Sequence, residues 1–297
     1  MTSKAGEFAR PFRVENGREF RLAAVDPGET NGIDSKKAAQ DELRRGVKRV
    51  AELQAKLYAQ DWWSVLLIFQ AMDAAGKDGA IEHVMSGVNP QGVQVYSFKA
   101  PSPEELDHDY LWRCVRALPE RGRIGIFNRS YYEEVLVVRV HPELLRAEKL
   151  PPALVTKEIW KERFEDINAF ERHLARNGTV VRKFFLHVSR DEQRRRFLRR
   201  LEDPERNWKF SADDVAERQY WDDYMSAYEE MVRHTASAHA PWYVIPADHK
   251  WFARLVVMDA IVETLESLDL HFPPVDERKR AEVEEARRLL EAESGNE

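Results

Sequence analysis

The chain has 297 residues, of which 43% are hydrophobic and 33% are charged, and its formal net charge is -6. This size and composition predict one globular core with an appended part, and the acidic balance argues against a nucleic-acid coat, which needs a broad positive field. No stretch approaches the roughly 20 apolar residues of a membrane span, and residues 1–13 lack the apolar core of a signal peptide, so we expect a cytoplasmic protein without membrane or specific nucleic-acid partners.

The two ends of the chain differ from its middle. Residues 1–34 mix Gly, Pro, Asn and charged residues without periodicity, which predicts an extended or loosely attached N-terminal arm. From Ser35 to Gln60 apolar residues recur at three- and four-residue steps, which predicts a helix with one apolar face. Residues 276–297 are rich in Glu, Arg and Ala and predict a solvated, charged tail. The main domain is therefore expected over residues 35–275.

Strands and helices are predicted to alternate through that domain. Short apolar runs typical of strands lie at residues 65–69, 93–98, 124–127, 180–188 and 242–245. Helical segments separate them, at residues 104–118, from 132 onward, 157–176, from 191 onward and 213–235, and another follows at 251–268. Such alternation predicts an α/β fold in three layers, a parallel sheet with helices on both faces. The mainly helical insertion before the last strand, residues 200–235, is a candidate mobile lid.

Residues 71–79 join the first strand to a helix, which is where a phosphate-binding loop of the Walker A type occurs. Backbone N–H groups of such a turn converge on an anion, Gly76 allows close approach of the backbone, and Lys77 supplies a positive charge at the transferring phosphate. An ordinary strand-to-helix turn is the alternative. The predicted phosphate-binding residues of this loop are Ala74, Ala75, Gly76, Lys77, Asp78 and Gly79.

The loop departs from the usual pattern at three positions. Ala71 stands where the first glycine is expected, and Asp78 replaces the hydroxyl residue that usually follows the lysine and holds magnesium. Asp73 adds a carboxylate inside the loop, which repels phosphate unless a divalent cation lies between them. Asp73 is therefore predicted to bind Mg²⁺ or to organise the acceptor, and an exposed turn carboxylate is the alternative.

A second polar turn follows the strand at residues 124–127. Ligands of open α/β sheets lie at the carboxyl ends of the strands, so this turn should face the first one. Arg129 is predicted to neutralise a phosphoryl group in transfer, while Asn128, Glu133 and Glu134 are candidates to hold Mg²⁺ or its waters. The alternative is that Glu133 and Glu134 only open a helix, whose amino terminus favours acids.

Four segments in this order and spacing resemble the polyphosphate kinase 2 family. They are residues 69–79, 101–113, 127–130 and 203–211, and the similarity extends from about residue 36 to residue 268. The resemblance implies a thymidylate-kinase-like P-loop fold with a helical lid and reversible, Mg²⁺-dependent phosphoryl transfer between inorganic polyphosphate and nucleotides. It places Asp73, Lys77 and Arg129 on the catalytic positions and Arg113 in a second basic motif that binds nucleotide or phosphate.

Details of the motifs indicate a subgroup. Gly-Lys-Asp-Gly at 76–79 with Phe-Asn-Arg at 127–129 is similar to members that accept both AMP and ADP, although many members have Asp where this chain has Asn128. Adenine nucleotides are the expected substrates, guanine is a further candidate base, and a homo-oligomer is expected. Two alternatives stay open: an ATP-dependent nucleoside monophosphate kinase, which the fold permits, and a non-catalytic nucleotide or polyanion sensor.

The residue inventory suits this chemistry. Because the acceptor is an ionised phosphate, no strong general base is needed, and catalysis requires alignment and charge neutralisation. Basic residues around the helix that begins at residue 191 are predicted to hold the polyphosphate through bidentate contacts. They are Arg182, Lys183, Arg195, Arg199, Arg200 and Lys209. The alternative is a solvated helix face paired with neighbouring carboxylates.

Overall fold

A computed structural model describes residues 5–33, 35–205 and 207–293, with the backbone alone at Ala38 and Lys209. The strands are β1 (Arg13–Val14), β2 (Ser64–Gln70), β3 (Val93–Ser97), β4 (Ile124–Asn128), β5 (Thr179–His187) and β6 (Trp242–Pro246). The α-helices are α1 (Lys36–Gln60), α2 (Lys77–Val84), α3 (Pro103–Leu106), α4 (Trp112–Val115), α5 (Val137–Val140), α6 (Ile159–Arg176), α7 (Arg190–Glu202), α8 (Ala212–Ala216), α9 (Trp221–Thr235), α10 (Lys250–Glu266) and α11 (Glu277–Glu293). Short 3-10 helices include Tyr131–Val135, Asn207–Lys209 and Glu217–Tyr220.

One six-stranded sheet forms the centre of the domain, in the order β1-β6-β5-β2-β4-β3. All neighbouring strands are parallel except β1, which runs antiparallel to β6. Every residue of β2 is buried, as its continuous apolar run predicts for a strand covered on both faces. The predicted α/β fold with a mainly parallel sheet is therefore confirmed, and the five predicted strands are the five parallel strands of the sheet.

Helices cover both faces of the sheet, as adjacent residues of β5 demonstrate. Arg182 donates from Nε to the hydroxyl of Thr264 on α10, whereas Lys183 donates from Nζ to Glu171 on α6. Successive side chains of a strand point to opposite faces, so α10 and α6 lie on opposite sides. Helix α1 contacts α10 on the first side, and α9 contacts α6 on the second.

The N-terminal arm is firmly attached, so the prediction of a loosely attached arm is wrong. The buried carboxylate of Asp259 on α10 accepts backbone hydrogen bonds from Gly6, Phe8 and Ala9 at 2.7–2.9 Å. Farther along the arm, β1 pairs with β6 and so forms one edge of the sheet. A two-residue strand is too short for a period-2 pattern, and its partners lie more than 200 residues away in sequence, so the local sequence carries no signal of either contact.

The predicted lid divides into two parts. The second part is helix α9, which buries seven of its residues and contacts α5 and α6, so it belongs to the core. Residues 203–205 and 207–220 include no buried residue among the side chains that the structure describes, and Asp203 and Trp208 line the cleft described below. The tail forms α11, whose residues are all exposed, in agreement with the predicted solvated helix. Among the described helices, none is both long and apolar enough to cross a bilayer.

Candidate active site

A cleft of about 1150 Å³ opens where β2, β3 and β4 end, at the carboxyl edge of the sheet. Its walls come from residues 73–80 after β2, from the residues that follow β3 and β4, and from α7 and α10. The two predicted turns do face each other there, since the backbone N–H of Arg129 donates to the carbonyl of Phe69 at 3.0 Å. This position at the strand ends is the usual ligand site of open α/β sheets.

The loop after β2 bends sharply before α2 begins at Lys77. Gly76 has a φ of +108°, which glycine adopts easily, and Ala74 has a φ of +61°, which is unusual for a residue with a side chain. The first N–H groups of an α-helix have no partner within the helix, and the partial positive charge at its amino terminus attracts anions. The loop and the start of α2 therefore have the geometry of the anion cradle that the sequence predicts.

Lys77 is almost completely buried at the base of this cradle, with 9% of its surface exposed. Its Nζ donates to the carbonyl of Ala71 at 2.8 Å. Burial lowers the pKa of Lys77, an effect that the nearby carboxylate of Asp73 opposes. A phosphate oxygen that reaches this ammonium would supply the negative charge that burial makes favourable.

Asp73 and Arg129 form an ion pair from opposite turns. Oδ1 of Asp73 lies 2.9 Å from Nη2 of Arg129, and Nη1 of Arg129 lies 3.6 Å from Glu133. The second oxygen of Glu133 accepts a hydrogen bond from Gln70 at 2.7 Å. The negative charge of Glu133 is the main cause of a pKa of Arg129 above its usual range. Burial opposes this shift and the charge of Asp73 adds to it, so this guanidinium stays charged. A fixed positive charge thus lies beside the anion cradle.

Asn128 and Asp78 are joined across the same opening. The side-chain amide of Asn128 donates to Oδ1 of Asp78 at 2.7 Å, and Asp78 lies in the first turn of α2, where an acid is favourable. Both residues line the cleft. An Asp at position 128 would place two carboxylates together, whereas the amide of Asn128 donates to Asp78.

Glu134 does not belong to this site, and its prediction as a metal ligand is wrong for the described conformation. Its carboxylate is buried and lies 2.8 Å from Nη1 of Arg163, which also contacts Glu148. Burial, followed by the neighbouring charge of Glu148, raises the pKa of Glu134 to about 8. Adjacent residues of the 3-10 helix Tyr131–Val135 project in different directions, so only Glu133 faces Arg129.

Arg182 and Lys183 also lie away from the cleft, so their prediction as polyphosphate ligands is wrong. Lys183 is completely buried and contacts Glu171, Tyr132 and the carbonyl of Thr235 at 2.6–3.0 Å. Burial is the main cause of the lowered pKa of both basic side chains. Their proximity in sequence to the basic helix misled the prediction, because strand β5 directs them into the two faces of the sheet.

The basic residues of α7 divide between the cleft and solvent. Arg199 and Arg200 line the cleft, where Arg199 contacts Glu192 at 3.0 Å and Arg200 contacts Asp214 at 3.7 Å. Arg195 does not line the cleft and is 67% exposed. The side chain of Lys209 lies outside the described part of the chain.

Arg113 lines a smaller neighbouring cavity of about 460 Å³. Its guanidinium donates to the carbonyl of Lys99 at 2.8 Å and lies 5.4 Å from the ring centroid of Phe98. Phe98 and Ser97 line both cavities, so Arg113 borders the cleft without entering it.

Four basic residues of the cleft escaped the sequence analysis: Lys99, Arg196, Lys250 and Arg254. Lys250 and Arg254 lie one turn apart on α10, just after β6. A Cβ at Gly79 would lie 3.2 Å from Nη2 of Arg254, which shows how closely α10 approaches the loop. The rule that sites lie after the carboxyl ends of strands could have indicated Lys250. Only the fold reveals that α7 and α10 meet at one cleft.

The carboxylates of the site offer few ligands for a metal ion. Among the described residues, no group of three or more His, Cys, Asp or Glu side chains is placed to hold a metal by itself. Mg²⁺ in phosphoryl-transfer sites usually has one or two carboxylate ligands and takes the rest from waters and substrate phosphates. Asp73 on the cleft wall fits that arrangement, and Glu133 lies on the far side of Arg129.

Comparisons with known proteins agree with this geometry. The family described as "Polyphosphate kinase 2 (PPK2)" matches residues 33–273. An "ADP-polyphosphate phosphotransferase" of Rhodopseudomonas palustris is 54% identical over 286 residues, which cover 95% of this chain and 98% of the relative. An "AMP/ADP-polyphosphate phosphotransferase" of Meiothermus ruber is 45% identical over 265 residues, covering 89% and 95%. The crystal structure of polyphosphate kinase 2 from Arthrobacter aurescens is similar with a TM-score of 0.86 and 41% identity, covering 95% of this chain and 98% of that one.

Proposed function

The chain belongs to the polyphosphate kinase 2 family, and from this premise we propose that it transfers phosphoryl groups reversibly between inorganic polyphosphate and adenine nucleotides, AMP to ADP and ADP to ATP. One observation of the structure carries the proposal. Lys77, Asp73 and Arg129 converge on the anion cradle in a cleft that several further basic residues also line. A long polyanion and a nucleotide phosphate can therefore meet at one point.

In the forward direction a terminal oxygen of the nucleotide attacks the terminal phosphorus of polyphosphate. A new P–O bond forms as the bond to the next phosphate breaks, and the polyphosphate leaves shorter by one unit. The attacking oxygen is already ionised, so no side chain needs to remove a proton. The residues of the site therefore act by alignment and by neutralising charge.

Lys77 and Arg129 are the two charges that we assign to this task. Lys77 reaches the phosphates from the base of the cradle, and Arg129 approaches from the opposite turn. Backbone N–H groups of Ala74 and of residues 76–79 complete the cradle, with Asn128 at its rim, whereas the N–H of Ala75 donates to the carbonyl of Met72 at 3.2 Å. Because Asp73 holds Arg129 beside the cradle before substrate arrives, little reorganisation is needed at the moment of transfer.

We propose Mg²⁺ as the divalent ion of the reaction, with Asp73 as its protein ligand. Glu133, which was also predicted to bind the metal, lies on the far side of Arg129, and we assign it to holding that guanidinium. When bound, the ion would supply positive charge that offsets the charge of the phosphates, and Asp73 would hold it there. Without it, the carboxylate of Asp73 would repel the phosphates.

We propose that the polyphosphate follows the basic wall of the cleft. Its ligands are then Arg199 and Arg200 of α7, Lys250 and Arg254 of α10, and Lys99 after β3, which replace Arg182, Lys183 and Arg195 of the sequence-based set. Arg113 remains a candidate on the nucleotide side, next to Phe98. Use of guanine nucleotides, a homo-oligomeric state and a cytoplasmic location stay predictions.

The donor assay tests the function. Purified protein with polyphosphate, Mg²⁺ and either AMP or ADP is expected to form the next higher phosphate without any other phosphoryl source, and GMP and GDP report on the base. An ATP-dependent monophosphate kinase would instead need ATP as donor, and a sensor would bind without turnover. If polyphosphate is neither donor nor product while ATP phosphorylates a monophosphate, the proposal is wrong.

A further inference from the structure

Arg196 of α7 has all of its guanidinium nitrogens bound to main chain or carboxylate. It is 5% exposed, and its Nε donates to Glu192 at 2.8 Å. Nη1 donates to the carbonyls of Ala74 and Ala75 at 3.1 and 2.6 Å. Nη2 donates to the carbonyls of Ala247 and Asp248 at 2.6 and 3.0 Å. One side chain thus joins the phosphate loop to the turn after β6.

Gln193, one turn earlier on α7, continues this contact with the loop. It is 1% exposed, and its amide Nε2 donates to the carbonyl of Asp73 at 3.0 Å. Its Oε1 accepts a hydrogen bond from Arg218, which lies in the 3-10 helix Glu217–Tyr220, within the predicted lid at residues 200–235. Three consecutive loop carbonyls, those of residues 73–75, are therefore held by α7.

The geometry of the peptide bond gives these contacts a consequence. In a trans peptide the C=O of one residue and the N–H of the next point in opposite directions. Holding the carbonyls of Asp73 and Ala75 against α7 turns the N–H groups of Ala74 and Gly76 away from it. The contacts also hold Ala74 in its left-handed conformation. This conformation costs free energy and persists only where the surrounding contacts impose it.

We infer that Arg196 and Gln193 are positioning residues for phosphoryl transfer: they hold the carbonyls of residues 73–75 outward so that the loop presents its N–H groups to the phosphate. Neither residue needs to touch the transferring phosphoryl group. The inference rests on the proposed function and extends it from the loop to α7. It also connects the loop with the lid, because α7 carries Arg199 and Arg200 at its end and leads directly into residues 203–220.

The test compares Arg196→Lys with wild type. One ammonium has three donors and no planar fork, so it cannot reproduce the contacts with Glu192 and four carbonyls. We expect a folded protein whose kcat with polyphosphate and ADP falls about 10²-fold, as for a reacting group displaced by an ångström. In ¹⁵N-glycine-labelled wild-type protein, tripolyphosphate should shift the Gly76 amide resonance, and in Arg196→Lys this shift should be lost.

A matched control and a second variant complete the design. Arg194→Lys makes the same change on the exposed face of α7 and should keep both kcat and the Gly76 shift. Gln193→Met removes the hydrogen bonds to the carbonyl of Asp73 and from Arg218 but leaves those of Arg196 in place. It should lower kcat about tenfold, and it carries the test if Arg196→Lys does not fold.

The possible outcomes separate the two proposals. If wild type does not use polyphosphate at all, the proposed function fails. If wild type uses it and folded Arg196→Lys, or Gln193→Met in its place, keeps the wild-type kcat and Gly76 shift, the inference is overturned and α7 serves only to pack the fold.

Discussion

Arg129 and Asp73 are 56 residues apart in sequence, and their side chains meet at 2.9 Å across the opening of the cleft. About a third of each side chain remains exposed, so both stay accessible to an incoming phosphate. A carboxylate beside a phosphate site is unfavourable by itself, and the pairing explains how the free protein stabilises it. The same pair sets the geometry on which the predictions below depend.

Replacing Asp73 by Asn should reduce turnover strongly with little effect on folding. The change removes the charge that pairs with Arg129 and the proposed ligand of Mg²⁺, so we expect kcat to fall by about 10²–10³-fold. Initial rates at several Mg²⁺ concentrations check this, and Asp191→Asn on the exposed start of α7 is the control. A variant that retains the wild-type rate and Mg²⁺ dependence would remove Asp73 from the site.

Lys77→Met tests the phosphate loop itself. Turnover should fall by about 10²–10³-fold because the buried charge at the base of the cradle is lost. The thermal midpoint should not fall, since burial disfavours the ammonium, as its lowered pKa shows. Calorimetry and the coupled ATP assay measure the two effects. Wild-type turnover would mean that the reaction takes place elsewhere.

Arg254 should contribute to binding of long polyphosphate. Its Nε is buried without a hydrogen-bond partner among the described residues, and its Nη2 lies next to Gly79 at the cradle. In Arg254→Met we expect the KM for polyphosphate to rise about tenfold, because one charged hydrogen bond is lost. The KM should also depend less on salt concentration than in wild type. Arg287→Met on the exposed helix α11 is the control. Equal KM values for the two variants would contradict the proposed path.

Lys183→Met should destabilise the fold. The change leaves the carboxylate of Glu171 buried with two tyrosine hydroxyls but without its positively charged partner, and such a loss typically costs about 3–5 kcal/mol in unfolding free energy. Urea denaturation measures this loss, and adding Glu171→Leu should recover part of it. Lys161→Met on the exposed face of the same helix as Glu171 should change the unfolding free energy by less than about 0.5 kcal/mol. A small effect for Lys183→Met would show that the pair is not buried.

Glu134 should make stability depend on pH. Its pKa is about 8 in the folded chain and 4.5 is the reference value, so the native state binds more protons between these values. The free energy of unfolding should then fall as pH rises from about 4.5 to 8, by on the order of 1.4 kcal/mol per unit of pKa difference.

Glu134→Gln isolates this contribution. The variant should gain stability relative to wild type as pH rises from 5 to 8, measured by urea denaturation at both values. A constant difference between variant and wild type across that range would show that burial does not raise the pKa of Glu134.

Local patterns in the sequence were sufficient for the frame of the protein and for the centre of its site. Apolar runs predicted the mostly buried strands β2, β4, β5 and β6, because a strand covered on both faces consists largely of apolar residues, and the same kind of run predicted the more exposed edge strand β3. The loop at residues 71–79 and the turn at Arg129 followed from glycine, charge and their places after strands. These signals are short in range, and they reflect the chemistry that phosphate binding demands of one segment.

Only the tertiary structure decided which way each side chain points and which residues far apart in sequence come into contact. The sequence does not distinguish Glu133 from Glu134, yet Glu133 faces Arg129 and Glu134 faces Arg163. Arg182 and Lys183 are directed by β5 into opposite faces of the sheet, whereas α10 brings Arg254 to the cleft from far along the chain. Charge and residue type are properties of a sequence, but the side to which a side chain points depends on how its strand or helix packs, and that packing is set by the whole core.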